Sequence, residues 1–291
     1  MTSGPRPPGK IVKGWEGNPP SMAALEPRFR EDHVGIVTSF IRHHLAESGA
    51  RGIVLGMSGG VDSSVVAALC VRAVGPEKVV AVWSGEGSAK GADFRDASEW
   101  AKALGIDLRR HDIAPLVRAF ERSLGIKRGD RVARGNVKAR IRMILLYYIA
   151  NTQGRIVMGT GNKSELAVGY STKFGDGGAD FLPIGDLYKT QVREMASFLG
   201  VPKRIVEKVP TAGLWKGQTD ERELGIRYRE LDRVLLGIEI HLTPEEIAAQ
   251  TGVSIRKVRH VEDLVSRSAH KRKAPLIPKV GIRTFGLDWR E

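Results

Sequence analysis

The sequence predicts an α/β protein built on a doubly wound parallel sheet flanked by helices, with a helical C-terminal part. Three observations carry that expectation. Short apolar runs such as 52–57 (GIVLGM) end in glycine-rich punctuation, they alternate with longer helix-length segments, and no internal repeat or low-complexity tract breaks the alternation. Parallel strands covered on both faces read as continuous apolar runs. Strands alternating with helices make open sheets whose ligands lie beyond the carboxyl ends of the strands.

The elements follow in order. A leader over 1–21, MTSGPRPPGKIVKGWEGNPPS, is rich in Gly and Pro and is expected to be flexible. A single domain is expected over 22–291. Residues 22–48 carry Ile36, Phe40, Ile41 and Leu45 at helical spacing, predicting an opening helix. The run 52–57 predicts a buried strand and 65–74 a helix. A strand over 78–83, a helix over 93–104, a strand over 106–111 and a helix over 115–124 come next. The segment 135–152 (GNVKARIRMILLYYIANT), basic at its start and apolar later, predicts a long helix, and 155–159 a further buried strand. From Gly169 the stretch GYSTKFGDGGADFLPIGDLYKT is too polar for core and too rich in turn residues for regular structure, so it reads as a binding loop. Short helices, including 190–199 and 203–208, carry the chain to its end, with a second loop over 210–219 (PTAGLWKGQT).

Bulk properties narrow the function. The 46 Lys and Arg against 33 Asp and Glu give a net charge of +13, which attracts polyanions, from nucleic acid to phosphate-rich small molecules. No apolar run approaches the roughly 20 residues that cross a bilayer, and the leader lacks the apolar core of a secretory signal, so a soluble, cytoplasmic protein is expected. The one cysteine, Cys70, allows no internal disulfide and no multi-cysteine metal site. It also offers no plausible nucleophile for a glutamine-hydrolysing domain.

The sharpest motif is the turn Ser58-Gly59-Gly60-Val61-Asp62-Ser63-Ser64, set between a buried strand and a helix. Such a turn aims free backbone N–H groups and the helix dipole at one point, an anion site by construction. Glycines admit phosphate oxygens close to the backbone, serine hydroxyls donate further hydrogen bonds, and Asp62 can hold magnesium against the phosphates. The lysine of a G-x-x-x-x-G-K-[ST] loop is absent. The turn resembles instead the pyrophosphate-binding loop of the ATP pyrophosphatase superfamily, whose members split ATP into AMP and pyrophosphate and share an adenine nucleotide α-hydrolase-like fold. The segment Gly159-Thr160-Gly161-Asn162-Lys163-Ser164-Glu165 follows the last buried strand, so Thr160 and Glu165 belong at the same sheet edge, where Glu165 supplies a second carboxylate to magnesium.

The motifs GNVKARIRM, GTGNKSE, TKFGDGGAD, PIGDLYKTQVR, a Pro-Thr-Ala loop followed by DERELG, and a late HKR occur in that order from about residue 30 to about 280. Together they resemble the NAD synthetase family. The resemblance implies a ligase that adenylylates the nicotinate carboxylate of deamido-NAD with ATP, releases pyrophosphate and lets ammonia displace AMP. It implies an ATP loop of Gly56, Met57, Ser58, Gly59, Gly60, Val61, Asp62 and Ser63, further ATP contacts at Thr160, Lys189 and Thr211, and Mg2+ on Asp62 and Glu165. It assigns Arg140, Lys173, Asp180, His270 and Lys271 to deamido-NAD, Arg140 and Asp180 reaching the partner subunit of a homodimer. The chain departs from the family over 83–90 (WSGEGSAK) and around Lys216, so Trp83, Trp215 and Lys216 receive no role.

Two rival readings stand beside this one. Residues 243–258 resemble a helix-turn-helix with Gly252 at the turn, which with the net charge suggests a nucleic-acid-binding module. Within the superfamily, GMP synthetases and tRNA thiolation enzymes are the alternatives; TKFGDGGAD does not resemble the former, and the latter generally depend on additional cysteines.

Overall fold

The computed structural model describes residues 25–86, 91–127, 129–215 and 217–283. The leader, residues 87–90 of the loop after the second strand and Lys216 lie outside the described residues.

The chain runs α1 (Asp32–Glu47), β1 (Gly52–Gly56), α2 (Val61–Val74), β2 (Val79–Gly85), α3 (Ala92–Leu104), β3 (Asp107–Asp112), α4 (Ala114–Leu124), α5 (Arg131–Gln153), β4 (Arg155–Met158), α6 (Lys163–Val168), α7 (Lys189–Phe198), α8 (Lys203–Val206), α9 (Asp220–Leu224), α10 (Tyr228–Glu239), α11 (Pro244–Thr251) and α12 (Ile255–Arg267). The strand order is β3-β2-β1-β4, all pairs parallel. The connections β1–α2–β2 and β2–α3–β3 move outward one way, and the chain then returns through α4 and α5 to place β4 on the other side of β1. The β1/β4 boundary is therefore the topological switch point, where open sheets leave a crevice for ligands.

Alternate residues of each strand face opposite layers, as the two-residue period of a strand demands. Ile53, Leu55, Ala81, Ile156 and Met158 pack with α1, α2, α3 and α7 on one face. Val54, Val80, Val82 and Val157 pack with Ile149 and Ala150 of α5 on the other. The sheet is thus covered on both sides, as the apolar runs predict. A separate apolar cluster, built on Tyr228, Leu231, Val234, Ile247, Val258 and Val261, joins α10, α11 and α12.

Three helix starts differ most from expectation. The first helix begins at Asp32, and its buried stripe is Val34, Val37, Ile41 and Leu45, while Ile36 and Phe40 stay exposed. α2 begins at Val61 and α5 at Arg131, each four residues before the periodic apolar run, because a polar first turn carries no hydrophobic signal. The helix-turn-helix segment does form two helices around Gly252, whose positive φ of 71° closes the first. Their apolar sides are occupied by α10, and Lys257, Arg259 and Arg267 pair with Glu230, Glu245 and Asp263. Among the described residues no helix is long and apolar enough to cross a membrane.

Candidate active site

Residues after β1, after β4 and at the start of α7 meet at the switch point. The turn after β1 runs from Gly56 through Met57, whose N–H bonds Val82 O of β2 at 2.8 Å. Ser58 and Ser63 hydroxyls lie 3.2 Å apart, and Ser58 Oγ accepts from Gly60 N at 3.2 Å, which folds the turn on itself. Gly59 has φ +83°, and a Cβ there would run into the Asp93 carbonyl. Both demands exclude any residue but glycine. No side chain caps α2, whose N-cap is Gly60, so the N–H groups of its first turn are left to a ligand. Lys208, beyond α8, donates to Gly59 O at 2.8 Å and pairs with Asp93 and Asp96, bracing the turn against α3.

Asp62 stands in that first turn. Its Oδ1 accepts from Asn162 Nδ2 at 2.9 Å and its Oδ2 from Lys189 Nζ at 2.6 Å. Lys189 Nζ also donates to Glu165 Oε1 at 2.9 Å, and its side chain is only 2% exposed. Asn162 is the N-cap of α6 in a capping box: its side chain accepts from Glu165 N, and the Glu165 carboxylate accepts from Asn162 N. One local motif therefore aims both Asn162 and Glu165 at Asp62. Thr160 lies two residues earlier on the same strand-to-helix turn, half-buried. The phosphate-loop residues, Thr160, Glu165 and Lys189 are thus brought to one place.

Behind this group stand residues that sequence reasoning missed. Tyr228 OH donates to Asp220 Oδ2 at 3.1 Å and lies 3.5 Å from Glu165 Oε1, while Lys189 Nζ sits 5.0 Å from the centre of its ring. Asp220 is buried, and its Oδ1 has no hydrogen-bond partner among the described residues. Asp232, fully buried on α10, accepts from Ser164 Oγ and, at 2.8 Å, from Thr190 N, tying the starts of α6 and α7 together. Asn162 and Asp220 were legible as members of GTGNKSE and DERELG. Tyr228, Asp232 and Lys208 carry no local signal.

Burial sets the electrostatics. It lifts the Glu165 carboxyl above the usual carboxylate range; Lys189 holds it down, and Asp62 lifts it further. Burial opposes the charge on Lys189, but Asp62 and Glu165 together raise that ammonium above its ordinary value. Burial also raises Asp220, against the pull of Lys189. Three carboxylates thus face one ammonium, and an unpartnered carboxylate oxygen is among them. This all-oxygen, negatively charged donor set fits a hard divalent cation such as magnesium.

The residues assigned to the second substrate surround one loop, 169–182. Arg140 of α5 donates to Lys173 O at 3.2 Å, and Lys173 Nζ lies 5.3 Å from the Phe174 ring centre. Lys271 donates to Gly169 O at 2.6 Å and Ser171 O at 2.7 Å, and His270 beside it is exposed. Asp180 accepts from Val157 N at 2.7 Å and from Tyr147 OH at 2.9 Å, supplying the open edge of β4 with the acceptor it lacks. Thr211 stands apart on the exposed 210–219 loop, its hydroxyl accepting from Gly213 N at 3.1 Å.

This chain is similar to known proteins over most of its length. A family model described as NAD synthase matches residues 34–275. The chain is 50% identical over 245 residues to the NH(3)-dependent NAD(+) synthetase of Archaeoglobus fulgidus, covering 84% of this chain and 95% of that protein. It is 45% identical over 252 residues to the protein of the same name from Methanocaldococcus jannaschii, covering 86% and 97%. Among solved structures, NMN synthetase from Francisella tularensis superposes with a TM-score of 0.75 at 36% identity, covering 87% of this chain and all of that one. The NH3-dependent NAD synthetase from Campylobacter jejuni gives 0.73 at 29%, covering 86% and 98%. With the family model spanning the sheet, the switch-point carboxylates and the C-terminal helices alike, this chain belongs to the NAD synthase family.

Proposed function

We propose that this chain joins ammonia to the nicotinate carboxylate of deamido-NAD, cleaving ATP to AMP and pyrophosphate. The observation that carries the reading is Lys189 held between Asp62 and Glu165 beside the uncapped turn of α2. The curated relatives at 45–50% identity are named for the ammonia-dependent reaction.

The N–H groups of the 58–63 turn bind the two phosphates that leave, and the glycines let them approach. Asp62 and Glu165 hold magnesium, which when bound neutralises phosphate charge and polarises the P–O bond. The nicotinate carboxylate attacks the α-phosphorus; an O–P bond forms, the bond to the β-phosphate oxygen breaks, and pyrophosphate departs. Lys189 places a fixed positive charge where this negative charge crowds. Ammonia then attacks the acyl carbon, loses a proton, and AMP leaves with the electron pair of the acyl–oxygen bond. Thr160 and Thr211 are further ATP contacts. Arg140, Lys173, Asp180, His270 and Lys271 hold deamido-NAD around the 169–182 loop.

The deciding experiment incubates the protein with ATP, magnesium, ammonium and deamido-NAD and measures NAD, AMP and pyrophosphate in equal amounts. No NAD with intact ATP would sink the reading. Because the Francisella relative is named for NMN, nicotinate mononucleotide is the acceptor to run beside deamido-NAD; the dinucleotide is expected to be preferred. Replacing ammonium by glutamine is expected to give no product.

The protein acts as a homodimer in the cytoplasm on this reading. Leu116, Phe120 and Leu124 form an exposed apolar stripe on α4, and Ile144 and Tyr148 are exposed on α5. Exposed apolar side chains of this kind are what a two-fold interface covers. Light scattering checks it: a mass near twice 31.8 kDa is expected.

A further inference from the structure

Two basic residues one turn apart on α5 touch both loops that flank the nucleotide site. Lys138 is almost fully buried, an unusual place for a lysine. Its Nζ pairs with Glu86 Oε1 at 2.7 Å, just beyond β2, and donates to Leu214 O at 2.7 Å in the 210–219 loop. Arg142 repeats the pattern. Its Nε donates to Ser84 O at 3.1 Å, and its Nη2 reaches Gly213 O at 3.5 Å. The loop lies close over α5: a Cβ at Gly135 would meet Trp215 at 3.0 Å, and Arg131 stacks 4.8 Å from the Trp215 ring centre. Gly213, held through its carbonyl, is the residue whose N–H fixes the Thr211 hydroxyl. The carboxyl end of β2 is in turn bonded to the phosphate-binding turn through Met57 N and Val82 O.

We propose that Lys138 and Arg142 are positioning residues that yoke the end of β2 to the loop bearing Thr211, so that nucleotide docked against either segment orders both. The proposal rests on the reading of Thr211 as an ATP contact. The physical reason is that, among the described residues, the Lys138 ammonium bonds both Glu86 and Leu214, and the Arg142 guanidinium both Ser84 and Gly213. A buried charge must be satisfied on all sides, so loss of one partner weakens the hold on the other. Arg's rigid fork suits two carbonyls at fixed separation, whereas Lys138 acts as a point charge.

The test is hydrogen exchange on the full chain, with and without α,β-methylene-ATP. Glu86→Gln changes a half-exposed residue whose ion pair, among the described residues, is with Lys138 of α5. It is expected to speed amide exchange at 212–215 about tenfold, through Lys138 and through Arg142, which also feels the Glu86 charge. Unchanged exchange there, with only the 84–86 amides affected, would overturn the proposal. Lys138→Met is expected to give the same acceleration and to raise the KM for ATP about tenfold with a smaller change in kcat, and Lys138→Arg to restore most of it. A proportional fall in kcat with KM for ATP unmoved would also overturn it. Thr211→Val separates this from the parent reading: an unaltered KM for ATP in that variant removes the Thr211 contact, while the exchange linkage between the loops stands or falls independently.

Discussion

Lys189 Nζ lies 2.6 Å from Asp62 Oδ2 and 2.9 Å from Glu165 Oε1, so one buried ammonium holds apart two carboxylates that come from residues 100 and more positions apart in the chain. Removing it leaves like charges facing each other at low dielectric. Lys189→Met is expected to cut NAD formation by about a thousandfold, since it deletes a charge placed at the transferring phosphoryl group. A steady-state assay at saturating ATP checks this, and activity within tenfold of the parent would exclude Lys189 from the chemistry.

Asp62→Asn keeps the shape of the first turn of α2 and its hydrogen bond with Asn162, but removes the negative charge proposed to hold magnesium. Pyrophosphate release is expected to fall ~100-fold or more, with secondary structure by circular dichroism unchanged. Near-normal release would place the metal elsewhere.

Glu165 makes a stability prediction with a definite sign. Burial raises its carboxyl to about 7 from 4.5, with Lys189 opposing. A carboxyl that holds its proton more tightly folded than unfolded favours the fold at low pH, and that contribution is lost as pH rises from about 4.5 to about 7. In protein stripped of metal with a chelator, Glu165→Gln is expected to flatten this fall and to raise the melting temperature at pH 8, while abolishing activity. A melting temperature at pH 8 below that of the parent would contradict it.

Gly59→Ala tests the turn itself. A non-glycine residue at φ +83° costs about 1–2 kcal/mol, and the added Cβ meets the backbone carbonyl of Asp93, which cannot rotate away. The variant is expected to lose melting temperature and to bind ATP at least tenfold more weakly by calorimetry. Gly60→Ala, whose nearest neighbour is the Ser58 hydroxyl at 3.3 Å and whose φ is ordinary, is expected to be the milder change.

Asp232→Ala leaves the Ser164 hydroxyl and the Thr190 N–H buried without an acceptor. Unsatisfied buried donors cost about 1–3 kcal/mol each, so chemical denaturation is expected to show a loss of about 2–5 kcal/mol. The accompanying drift of α6 against α7 is expected to raise the magnesium requirement, measured by titration of activity.

Three of the strands were legible because each is a short apolar run buried in the sheet, whereas β3 (DLRRHD) is a partly exposed edge strand; the turn after β1 stood out because glycines and serines between a strand and a helix have few other uses. The family assignment was legible because six motifs fall in one order. The starts of α2 and α5 were not: the first turns at Val61 and Arg131 look like loop. Nor were Tyr228, Asp232 and Lys208, whose importance comes from what they meet across the fold. Asp180 and Lys271 show the limit from the other side, since the motif marks them but gives no hint that their polar atoms bond the edge of β4 and the carbonyls of the 169–171 turn.

By itself the sequence determined the local matters: which segments are strands, where a glycine- and serine-rich turn joins a strand to a helix, and which carboxylates and cations are available. Periodicity and turn chemistry act over a few residues, so they can be read in one dimension. Tertiary structure alone decided that β4 lies beside β1, that Lys189 stands between Asp62 and Glu165, and that α5 reaches both flanking loops. Those pairings depend on how the helices close over the two faces of the sheet, and no local rule encodes a distance between residues a hundred positions apart.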